Sequence, residues 1–116
     1  MPGSQTVVIT GSTGGIGDEI AKILAGSGCN LILVNRSAEK SDEQKRVLVA
    51  AYPEISITTV QCDLLDIEHI RKAGATIVAA TPRIDALYNI AGVLTTNRVN
   101  SAQGHESHYA INVLAN

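Results

Sequence analysis

Thr6-Val7-Val8-Ile9-Thr10-Gly11-Ser12-Thr13-Gly14-Gly15-Ile16-Gly17 is the stretch on which the fold of this chain turns. Its first five residues, TVVIT, are a β-branched run of strand length that enters a glycine-rich turn at once. Beyond the turn Ile16, Ile20, Ile23 and Leu24 fall at i, i+4, i+7 and i+8, one face of a helix. Gly26-Ser27-Gly28 stops that helix. Strand, tight turn and helix in immediate succession form the opening unit of a parallel α/β sheet.

The same alternation continues outward. Residues 30–34 (NLILV) are a continuous apolar run, as in a strand buried on both faces. Ser37 or Ser41 caps a second helix reaching about Tyr52, and Pro53 closes it. Residues 55–62 (ISITTVQC) alternate and read as a third strand. Asp66 caps a third helix with Ile67, Ile70, Gly74 and Ile77 inward, ending near Thr81-Pro82. Residues 84–90 (IDALYNI) are a fourth strand, broken by Ala91-Gly92. Residues 93–104 read as a polar loop, and residues 105–116 carry a helical rhythm. Short connections between these elements imply right-handed parallel crossovers. The expected fold is a Rossmann-type doubly wound parallel sheet of about four strands, order 3-2-1-4, with flanking helices. No repeat, linker or low-complexity tract divides the chain, so residues 1–116 are expected to form one domain.

Composition limits the partners. The 116 residues are 45% hydrophobic and 17% charged, a globular balance. With three Tyr and neither Phe nor Trp, the core must be filled by Ile, Val, Leu and Ala. A net charge of −2 gives no reason to expect nucleic acid or an anionic membrane. No apolar run approaches the roughly 18 residues of a membrane span, and the opening Met1-Pro2-Gly3-Ser4 is no signal peptide. Cys29 and Cys62 match no metal or redox spacing and read as buried thiols in a reducing compartment, the cytosol or an organelle interior. His69, His105 and His108 form no metal site, since no third ligand accompanies the i, i+3 pair.

In an open α/β sheet the ligand lies beyond the carboxyl ends of the strands, at the switch point. The glycine turn, Asn35-Arg36, Cys62-Asp63 and Ala91-Gly92 all fall on that rim. Phosphate oxygens need close backbone N–H groups, which a helix N-terminus supplies with a favourable dipole. Glycines at Gly11, Gly14, Gly15 and Gly17 remove the side chains that would hold a pyrophosphate off, with Ser12, Thr13 and Ile16 between them. No Lys follows the turn, which excludes a P-loop for nucleoside triphosphate hydrolysis. A residue near position 35 would meet the adenosine ribose. Neutral Asn35 does not repel a 2′-phosphate as a carboxylate would, and Arg36 offers a planar cation to bind one. NADP(H) is therefore expected over NAD(H).

TGSTGGIG resembles the TGxxxGxG signature of the short-chain dehydrogenase/reductases. Later segments agree with that family in order and spacing. Cys62-Asp63-Leu64 is similar to its aspartate-leucine pair after strand three, which implies that Asp63 contacts the adenine ring. Asn89-Ile90-Ala91-Gly92 resembles the Asn-Asn-Ala-Gly motif, with Ile90 replacing one Asn. Asn112 matches the Asn of the catalytic Asn-Ser-Tyr-Lys group. An Arg after strand two resembles the NADP-using reductases and the retinol-dehydrogenase-like members.

The resemblance implies hydride transfer between a nicotinamide dinucleotide and a small alcohol or carbonyl substrate, by a protein that is a homo-oligomer at full length. It covers the front half of a typical family member. The proton-transferring Tyr of that family has a Lys four residues later, because an unperturbed Tyr, with a pKa of about 10, is a poor base near neutrality. Here Tyr52, Tyr88 and Tyr109 are followed at that distance by Ser56, Gly92 and Val113. The chain thus reads as a partial oxidoreductase, truncated at its C-terminal end and inactive alone. The alternative is a non-catalytic dinucleotide-binding or interaction module. A Tyr-x-x-x-Lys in a longer reading frame would separate the two.

Overall fold

A computed structural model describes residues 5–81 and 83–91 of the chain. Within them the elements run β1 (Thr6–Thr10), α1 (Gly15–Gly26), β2 (Asn30–Asn35), α2 (Ala38–Ala51), β3 (Ile57–Gln61), α3 (Ile67–Ala80) and β4 (Ala86–Asn89). The expected loop over residues 93–104 and helix over residues 105–116 lie outside the described residues, as do Gly92, His105, His108, Tyr109 and Asn112.

The four strands form one parallel sheet in the order β3-β2-β1-β4, the Rossmann-like order expected. Opposite β1, Val8 pairs with Ile32 of β2 on one side and Leu87 of β4 on the other. β2, flanked by strands on both sides, is buried along nearly its whole length, which explains its continuous apolar run. β3 and β4 stand at the edges, and their exposed positions reflect it.

Side chains alternate between two cores, one on each face. Val7, Ile9, Leu31 and Leu33 pack with Ala21 and Ala25 of α1 and Leu48 of α2. Val8, Ile32, Val34 and Val60 pack with Cys62 and with Ala73 and Ile77 of α3. Cys29 and Cys62 are both buried free thiols.

The helices face the sheet differently from the sequence pattern. Ile16 and Ile23 of α1 are 72% and 66% exposed, while Gly17, Ala21 and Ala25 are buried, with Ile20 and Leu24 beside them. The buried stripe is rotated by one residue toward the small side chains, because α1 lies so close to the turn that only a glycine fits at position 17. In α3 likewise Ala73, not Gly74, joins Ile77 inside. Both α2 and α3 have a side-chain cap: Ser37 accepts from the Lys40 N–H and Asp66 from the Glu68 N–H.

Candidate functional site

The carboxyl ends of β1, β2 and β3 open on a groove of about 680 Å³. Its near wall is the turn: Gly11, Thr13, Gly14, Gly15, Ile16 and Gly17 all border it. Arg36 stands at the end of β2, Asp63 and Leu64 after β3, and Ala91 after β4. Residues picked from four separate stretches of sequence therefore meet in one depression, as the switch-point rule requires.

The turn itself is tightly built. Gly11 has φ +69°, and a Cβ there would lie 2.8 Å from Ala91 Cα, so its conformation and its surroundings both demand glycine. The Gly11 N–H donates to the Val34 carbonyl at 3.0 Å, and the Ala91 N–H donates to Thr10 Oγ1 at 3.3 Å. These bonds tie β1 to both neighbours at the point where the chain leaves the sheet. A Cβ on Gly15, by contrast, would meet nothing within 4 Å. Helix α1 begins after Gly14 without a side-chain cap, and its first residues, at the positive end of its dipole, border the groove.

Asn35 borders the groove at the end of β2, with its side-chain amide turned into a buried network. It is 5% exposed, and its side chain lies beneath the turn. Its Nδ2 donates to Ser12 Oγ at 2.8 Å and to Ser41 Oγ at 3.0 Å, and its Oδ1 accepts from the Thr13 N–H at 3.4 Å. With its hydrogens so used, Asn35 supports the turn from the groove wall. Ser12 is fully buried in the same network and does not line the groove. Asn89 is exposed on β4 and lies outside the groove lining.

Arg36 is exposed and borders the groove with Ser37 and Lys40. Among the described residues neither Arg36 nor Lys40 makes an ion pair, whereas Lys22, Arg46, Arg71 and Arg83 all do. Lys40 escapes sequence reading because a Lys in a helix looks like any solvated charge. Its signal is its distance of one helical turn from the Ser37 cap, which returns it to the rim. Asp63 accepts from the Leu65 N–H at 3.0 Å, a local turn that shapes the passage from β3 to α3.

Charge is distributed unevenly around the turn. The Asp18 carboxyl is held below its ordinary pKa, chiefly by a hydrogen bond from Lys22 at 2.9 Å and also by Gln44. The Cys62 thiol is pushed above its ordinary value by burial, with Asp63 and Asp66 adding to it. Among the described residues no group of three His, Cys, Asp or Glu side chains is placed to hold a metal ion. No described helix is long and apolar enough to cross a membrane.

Fold and groove together define an α/β protein of the Rossmann type. The sequence profile described as short chain dehydrogenase matches residues 5–116, and the chain belongs to that family of oxidoreductases. It is 33% identical over 107 residues to the short-chain dehydrogenase TIC 32 A, chloroplastic, of Brassica napus, covering 92% of this chain and 33% of that protein. It is 32% identical over 114 residues to human (Homo sapiens) retinol dehydrogenase 13, covering 98% of this chain and 34% of that protein. Among solved structures it resembles a metagenomic short-chain oxidoreductase in complex with NADP: TM-score 0.70, 36% identity, 77% of this chain and 39% of that one. A short-chain dehydrogenase from Sphingobium yanoikuyae in complex with NADPH has TM-score 0.80 and 28% identity, covering 96% of this chain and 43% of that one. The chain spans about a third of the length of these curated relatives.

Proposed function

We propose that this chain is the cofactor-holding part of an NADP(H)-dependent oxidoreductase acting on an alcohol or carbonyl substrate. The observation that carries the reading is the start of α1. It is the one described helix without a side-chain cap, and it opens on the groove at a glycine whose missing side chain no described residue requires. A pyrophosphate there would complete the free N–H groups and meet the dipole. The turn residues Gly11, Thr13, Gly14, Gly15, Ile16 and Gly17 would hold the pyrophosphate. Asp63 and Leu64 would flank the adenine, with Ala91 and Gly92 on the nicotinamide side and Asn89 behind them on β4. Ser12 and Asn35 act from beneath. The unpaired cations Arg36 and Lys40 favour a 2′-phosphate, in keeping with the NADP and NADPH complexes of the related structures.

When bound, the dinucleotide supplies or accepts the hydride. Asn112 would belong to the catalytic group, while no Tyr of this chain has a Lys four residues on. The 116 residues by themselves are thus expected to hold the dinucleotide without turnover. Residues 1–116 would act as one domain of a larger homo-oligomeric enzyme, in a compartment that keeps Cys29 and Cys62 reduced.

Thermal melting with nucleotide tests the reading. NADPH at a hundred times its Kd should stabilise the chain by about 2.7 kcal/mol, and at roughly 4–8 °C per kcal/mol the Tm rises by about 10–20 °C. NADH at the same concentration should do much less, and Arg36→Ala should bring the two together. Equal shifts with both nucleotides in the wild type would remove the 2′-phosphate assignment. No shift with either would remove the dinucleotide.

A further inference from the structure

Helix α2 turns Ser41, Gln44 and Leu48 inward, so two of its three buried side chains are polar. A Gln that is 8% exposed is costly unless its polar atoms are matched. Gln44 Nε2 donates to the Ser12 carbonyl at 2.7 Å and to Asp18 Oδ1 at 3.0 Å, and its Oε1 accepts from Ser12 Oγ at 2.8 Å. Turning the amide over would set its oxygen against a carbonyl and a carboxylate, so its orientation is determined by its partners. Through Ser12 Oγ the network continues to Asn35 and Ser41.

The turn has little of its own to fix it. Its internal Gly14 N–H to Gly11 carbonyl bond is 3.4 Å long, and α1 lacks a cap. Its shape is set from outside, by β2 through Val34 and Asn35 and by α2 through Gln44.

We infer that Gln44 is a positioning residue for the phosphate-facing turn. By joining the Ser12 carbonyl to the Asp18 carboxylate, it holds the N–H groups at the start of α1 where a pyrophosphate would be received. It also links that turn to the helix whose Ser37 and Lys40 border the 2′-phosphate side. The inference rests on the dinucleotide reading of the groove for the identity of the ligand. The restraint on the turn is a property of the free chain.

Two variants test it in the whole chain. Gln44→Met removes all three bonds at similar volume. Gln44→Glu keeps the acceptor for Ser12 but loses both donations, and serves if the Met variant fails to fold. In the nucleotide-free chain, amide hydrogen exchange should speed up about tenfold at residues 12–18, and less than twofold in β2 and β3. Affinity for NADP+ should fall about tenfold or more, while adenosine 2′-monophosphate, which lacks the pyrophosphate, should bind within about twofold of wild type. A uniform rise in exchange, with equal losses for both nucleotides, would make Gln44 a general stabiliser and overturn the inference. So would unchanged NADP+ affinity. A wild-type chain that binds neither nucleotide would overturn the dinucleotide reading, and the exchange pattern alone would then decide the role of Gln44.

Discussion

A Cβ built on Gly17 would lie 2.1 Å from the Gly11 carbonyl oxygen and 2.9 Å from Ser12 Cα, both backbone atoms with no freedom to move aside. Two positions earlier, a Cβ on Gly15 would enter open space. The same residue type thus answers two different needs within one helical turn: close packing of α1 against the turn at Gly17, and clearance for a ligand at Gly15. Substitution should separate them. Gly17→Ala is expected to destabilise the free chain by about 1–3 kcal/mol through overpacking. Gly15→Ala should be neutral or slightly stabilising, since Ala is favoured over Gly in a helix by about 1 kcal/mol. Gly15→Leu should leave stability near wild type and abolish dinucleotide binding. Urea titration with and without NADPH checks all three. Unchanged affinity in Gly15→Leu would mean that the pyrophosphate lies elsewhere.

The elements differ in how plainly their sequences announced them. β1 and β2 were legible because a strand covered on both faces is apolar without interruption, as in residues 30–34. The turn was legible because close backbone approach leaves no choice but glycine. The inward faces of α1 and α3 were legible only in part: Ile20, Leu24, Ile70 and Ile77 do pack on the cores, but a periodicity search favours large apolar residues over Ala. Where a helix lies close to the sheet, Ala21, Ala25 and Ala73 form the contact and Ile16 and Ile23 are displaced outward. α2 was least legible, since its inward Ser41 and Gln44 satisfy a polar network that exists only once β2 and the turn are in place. For the same reason the support that Asn35 gives the turn from the rim was hidden in the sequence. Ser37→Ala and Asp66→Ala should each cost about 1 kcal/mol of stability. Only Ser37→Ala should also weaken NADP+ binding, because only the start of α2 borders the groove. Equal NADP+ affinity in the two variants, by calorimetric titration, would separate that turn from the 2′-phosphate side.

Among the described residues the sheet is unevenly covered. α1 and α2 pack on one face of the sheet, while α3 alone among the described helices packs on the other. β4 stands at the sheet edge next to β1, and no described strand pairs with its far side. Its Leu87 lies opposite Val8 in register, yet Val8 is 3% exposed and Leu87 54%. Tyr88 on the same strand is 37% exposed. An open parallel edge carrying apolar side chains is a template for pairing with another chain. The 116-residue chain expressed alone is therefore expected to self-associate through β4. Leu87→Lys places a charge on that edge, and because Leu87 is about half exposed the substitution should cost no more than about 1 kcal/mol of stability. Sedimentation velocity across a concentration series should show larger species for the wild type and a shift toward monomer for the variant. The dinucleotide groove lies at the carboxyl ends of the strands and does not include Leu87, so NADPH should raise the Tm of the variant as it does that of the wild type. If the variant associates as strongly as the wild type, the contact lies on another surface, and the exposed Ile16 and Ile23 of α1 become the next place to set a charge.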